Sequence, residues 1–106
     1  MFGQKKKLKK IPSDLVSYVI IEGEAVRDAN DKMMIVSYAH NKIELIEWYI
    51  ELLDAGSKKY IVPQSRERLV EIKNQLSEAI KIIMARPVPK PGGAIISVEY
   101  PPGYEG

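Results

Sequence analysis

Apolar residues recur along this chain at the three- and four-residue steps of helices, and they do so most regularly in its second half. Leu69, Ile72, Leu76, Ala79, Ile80 and Ile83 form one stripe, while Arg66, Lys73, Gln75 and Glu78 fall outside it. That spacing predicts an amphipathic helix from about Ser65 to Arg86, ended by Pro87. Upstream, Ser37, His40, Glu44, Glu47 and Glu51 trace a wet stripe at the same steps. It predicts a helix that begins at the Asp28–Asp31 corner and ends at Gly56. The rest of that helix carries Ile35, Tyr38, Ala39, Leu45, Ile46, Trp48, Tyr49, Leu52 and Leu53. This apolar face is broader than one neighbour needs, which implies a second chain against it.

Residues 15–26 carry two competing patterns. Val16, Tyr18, Val19, Ile20 and Ile21 favour a strand by propensity, yet Ile20 would share a strand face with Glu22 and Glu24. A helix sorts them better, since Ser17, Glu24, Asp28 and Asp31 fall on one face, leaving Leu15, Val19 and Val26 on the other. Ser13 is the expected N-cap, with Asp14 in the first turn. The alternative is an α+β fold in which 15–26 and 33–39 form a hairpin, with Ala94–Tyr100 as an added strand. Between the second and third helices, Lys58-Lys59-Tyr60-Ile61-Val62-Pro63 reads as an extended connector, with Val62 held out of the helical region by Pro63. Five of the seven prolines and four of the seven glycines lie in the last twenty residues, around one apolar island, Ala94–Val98.

The expected fold is therefore all-α: a three-helix domain, its bundle completed by oligomerisation, between a basic N-terminal arm and a Pro/Gly-rich tail. The arm spans residues 1–12, the helical domain 13–86 and the tail 87–106. At 106 residues the chain supports one modest core. Tyr38, Leu45, Trp48, Tyr49 and Leu52, with Ile95 and Ile96 of the tail, are the expected interface. No repeat of useful length is visible.

Charge adds a second theme. The net charge is only +2, but Lys5, Lys6, Lys7, Lys9 and Lys10 precede any acid, and the remainder carries eleven Lys/Arg against fourteen Asp/Glu. A slightly acidic body thus bears a basic arm, the electrostatic footprint of a phosphate-binding segment. Those five lysines are expected to contact DNA or RNA without reading bases, and Lys58, Lys59 and Tyr60 are a second candidate contact. As the arm lies outside every predicted helix, its removal is expected to leave the helical signal and oligomeric state unchanged. Tyr18, Tyr38, Trp48 and Tyr49 sit in apolar helical stretches and are expected in the core.

Catalytic chemistry finds little support. The chain has no cysteine and a single histidine, so thiolate sites are excluded and a triad has thin ground. His40, Glu44, Glu47 and Glu51 share a helical face, but side chains along one helix project in parallel and do not surround an ion. Gly92-Gly93 follows a proline tract and opens no helix, unlike a phosphate loop. No cofactor or metal is implied, and a binding role without catalysis is the expectation. In the tail, Pro101-Pro102-Gly103-Tyr104 has the pattern of a WW-domain ligand, and Ala94–Tyr100 suits β-addition or packing along another subunit. An adaptor using the broad helix face and the tail is the alternative to nucleic-acid binding. Lacking an apolar run long enough for a membrane span or a signal sequence, the chain reads as cytoplasmic.

Overall fold

The structure, a computed structural model, describes residues 4–88. The expectations placed on 89–106, including Ile95, Ile96, Ala94–Tyr100 and the Pro101–Tyr104 pattern, lie outside the described residues. Five elements follow in order: β1 (Lys6–Lys7), α1 (Leu15–Glu24), α2 (Ala29–Ala55), β2 (Tyr60–Ile61) and α3 (Arg66–Ala85). Helices hold 67% of the described residues and strands 5%, so the fold is helical with one small strand pair. The α+β alternative is overturned where it placed its hairpin, since 15–24 and 29–39 are both helical. Helical periodicity outweighed the β-branched content of 16–21: Leu15, Val19 and Gly23 are buried at four-residue steps, while Ser17 and Ile21, which would share their face in a strand, are exposed.

The helix ends follow from local chemistry. Asp28 caps α2, its carboxylate accepting from the Asp31 amide at 2.8 Å. Gly56 closes the same helix in the left-handed region, φ 63°. There the Gly56 amide donates to Leu53 O and the Ser57 amide to Leu52 O, which satisfies two terminal carbonyls in a Schellman arrangement. Ser65 caps α3 by accepting from the Arg68 amide. At α1 the expected Ser13 cap does not form. Asp14 occupies the cap position and its side chain makes no capping bond.

All six residues of the α3 stripe are buried, and they pack with Ile35, Val36, Ala39, Ile46, Tyr49 and Ile50 of α2. Leu15 and Val19 of α1 complete this core. α1 meets α3 at Gly23, where a Cβ would lie 2.5 Å from Ile83 Cδ1 and Cγ1, so the close approach needs a residue without a side chain. At the same end, Lys32 Nζ donates to Met84 O and Arg86 O at 3.0 and 2.7 Å. α3 has no basic residue in its own last turn, and this lysine from α2 supplies the positive charge that the helix C-terminus favours. Arg86 also pairs with Glu24 of α1.

The lysine-rich segment is not a free arm. β1 and β2 run parallel, Lys6 opposite Tyr60 and Lys7 opposite Ile61. Leu8 packs on the core, and Ile11, 2% exposed, belongs to it. The connector expected between α2 and α3 is likewise half of this pair. Removing residues 1–10 would delete β1 and the packing of Leu8, so the segment is part of the folded unit.

Candidate nucleic-acid interface

Three anchors hold the lysine segment in place. The Lys6 amide donates to Lys59 O at 2.9 Å and the Leu8 amide to Ile61 O at 3.0 Å. The Tyr49 hydroxyl donates to Lys9 O at 2.6 Å. At Ile11, whose side chain is in the core, the Gln64 side-chain amide replaces a strand: its Oε1 accepts from the Ile11 amide and its Nε2 donates to the Ile11 carbonyl. Backbone pairing ends near Leu8, and Gln64 continues it by side chain.

The connector is held from its own side. Its entry is set by the Gly56 turn, after which the Ser57 hydroxyl accepts from the Lys59 amide. Arg66 forms a two-bond fork with Asp54, 2.7 and 3.3 Å, across the α2–α3 junction. That hydrogen bond and the guanidinium charge hold the Asp54 carboxyl below its ordinary range. Val62 packs on the core beneath. Tyr60 meets Trp48 of α2 edge to face at 5.3 Å, and Trp48 is also tilted against Tyr49 at 5.9 Å.

The result is one basic strip assembled from two distant stretches of sequence. Lys5, Lys6, Lys7, Lys9 and Lys10, in and around β1, and Lys58 and Lys59, just before β2, are all exposed. Adjacent strands lie about 4.8 Å apart, so the pairing brings the two sets close together, and no acid occurs in residues 4–13 or 55–65. Among the described residues none of the seven lysines has a carboxylate partner. The rest of the chain carries nine Lys/Arg against fourteen Asp/Glu. Like charges set on neighbouring residues and neighbouring strands repel one another, and a bound polyanion relieves that repulsion.

The two lysine sets and Tyr60, read from sequence as separate candidates, are thus brought together. Trp48 joins them through Tyr60 and was not read as a nucleic-acid contact, because its place in an apolar stretch pointed to the core. It is 37% exposed, as is Tyr38, and Tyr18 is 46% exposed, so the expectation of buried aromatics is corrected for these three. Tyr49 alone of the four is buried, at 3%. Burial pushes its phenol above the ordinary value of 10. Of the expected interface residues, Tyr49 therefore belongs to the core, and Leu45 and Leu52 are partly buried. Of those among the described residues, only Tyr38 and Trp48 present substantial surface. The signal that could have exposed the error is length: α2 runs 27 residues against 20 for α3 and 10 for α1, so its neighbours leave part of its circumference uncovered.

His40, Glu44, Glu47 and Glu51 stand exposed along α2, with Glu47 paired to Lys73 of α3 at 3.5 Å. Among the described residues no three His, Asp or Glu side chains converge on a metal position, and no helix is long and apolar enough to cross a membrane. Comparison of the chain with protein-family models, with curated proteins and with solved structures gives no match.

Proposed function

We propose that this is a non-enzymatic cytoplasmic binding protein that holds nucleic acid by its phosphates on the paired lysine strands. The observation that supports this reading is the parallel register of Lys6–Lys7 with Tyr60–Ile61, which turns two modest lysine runs into one unneutralised strip. Lysines act as point charges and lack the bidentate fork by which arginine reads guanine, so binding is indifferent to base sequence. The strip contains no arginine. A mobility-shift assay with mixed DNA and RNA tests the reading. Wild type shifts both. Lys5→Gln, Lys7→Gln, Lys58→Gln and Lys59→Gln combined lose most of the affinity with the helical signal unchanged. A charge-depleted protein that binds as well as wild type refutes it.

A second surface favours self-association, with adaptor function as its wider form. Tyr18 and Ile21 of α1 and Met33, Met34 and Tyr38 of α2 are exposed, and Tyr18 and Tyr38 meet edge to face at 5.4 Å. Between the two helices runs a groove of about 570 Å³ that reaches Ala25 and Val26. Apolar surface gathered in one place is what a subunit contact buries. A second copy of the chain is the proposed occupant, and it would complete the bundle on the side that α3 leaves open.

A further inference from the structure

We infer that the strip takes single-stranded nucleic acid, with Trp48 and Tyr60 as the platform on which bases stack; the inference rests on the phosphate-binding reading above. Three observations carry it. Trp48 keeps 37% of its surface open although it lies two turns inside the C-terminal end of the longest helix. Its ring is braced by Tyr60 at 5.3 Å and Tyr49 at 5.9 Å, so it stands fixed without loss of rotamer freedom on binding. Tyr60 sits in β2 directly after Lys58 and Lys59 and opposite Lys6 in register, which puts an aromatic edge at the border of the positive strip.

A duplex buries the faces of its bases in its own stack and offers lysines only phosphate. A single strand offers both phosphate and bare base faces, and an aromatic beside a lysine groove is the arrangement that uses both. The pair would be idle against a duplex. Aromatic faces accept any base, so the preference is for strandedness and not for sequence. Tyr60 and Trp48 thereby add discrimination to a strip whose lysines supply none.

Trp48 is the only tryptophan in the chain, so its emission reports on this position alone. The test titrates the full protein with oligothymidylate, with a duplex of equal length and with inorganic polyphosphate, at low salt. Oligothymidylate should quench Trp48, and polyphosphate should bind without quenching. With labelled oligothymidylate, Trp48→Leu should weaken binding about fivefold or more, the loss of one stacked base. Trp48→Phe should restore most of it. Both variants should hold polyphosphate as wild type does, which also certifies their fold. If polyphosphate binds but Trp48→Leu holds oligothymidylate as tightly as wild type, stacking is wrong and phosphate binding stands. Equal quenching by duplex and single strand likewise overturns it. If none of the three polyanions binds, the phosphate-binding reading fails and this inference falls with it.

Discussion

The Tyr49 hydroxyl reaches the backbone carbonyl of Lys9 at 2.6 Å, joining a core aromatic on α2 to a residue forty positions earlier. Through that bond the basic segment becomes part of the folded unit. Tyr49→Phe removes the donor while keeping the ring, and should cost about 1 kcal/mol, the net worth of one such bond, measured by urea unfolding. The pH dependence follows from burial, which holds the folded phenol above its ordinary value of 10. Its contribution is whole below that value and is lost as pH rises through the folded one. Wild type should therefore lose more stability than Tyr49→Phe above about pH 10. Parallel losses in both proteins would contradict the assignment.

Gln64 should matter as much, because its amide satisfies both backbone groups of the buried Ile11. Gln64→Leu leaves a donor and an acceptor without partners. It should cost roughly 1–3 kcal/mol, read from the urea midpoint, and speed hydrogen exchange at the Ile11 amide.

Gly23 tests the α1–α3 contact. Alanine is ordinarily the better helix former by about 1 kcal/mol, but here its Cβ would collide with Ile83, a β-branched side chain with little room to turn. Overpacking of this kind costs about 1–3 kcal/mol, so Gly23→Ala should lower the thermal midpoint. Adding Ile83→Val, which removes the terminal methyl, should recover part of the loss. A midpoint raised by Gly23→Ala alone would show that α1 shifts freely on α3.

How far the sequence discloses this molecule can be argued from particular residues. The α3 stripe, the start of α2 at the Asp28–Asp31 corner and the Gly56 stop were all legible, because each is a local rule: a period, a helix start, a left-handed residue. The β1–β2 pair was not. Neither two-residue strand has an alternating pattern, and the bonds that make the pair join residues more than fifty positions apart. For the same reason the lysines were legible as chemistry but not as one surface. Trp48 was misplaced because composition marks a ring as apolar without saying how much of a helix its neighbours cover.

Self-association is open to direct measurement. Met34 and Tyr38 lie on the exposed α1–α2 face, away from the Tyr49 and Ile46 core. Met34→Glu should reduce the mass seen by light scattering at micromolar concentration to one chain, with little change in helicity. Trp48→Glu, on the lysine side, should leave the mass unchanged. A wild-type mass of one chain throughout would remove the proposed subunit contact.

The central claim is that seven lysines in and beside two paired strands act as one phosphate-binding surface. The measurement that tests it most directly is the slope of log affinity against log salt for oligothymidylate, in wild type and in Lys58→Gln/Lys59→Gln. Each single-strand phosphate neutralised contributes about 0.7 to that slope. If all seven lysines engage, wild type should show a slope near −5, and the double variant a slope shallower by about 1.4. A shallow wild-type slope, or a variant whose slope equals it, would mean that the connector lysines and the N-terminal lysines do not serve one ligand.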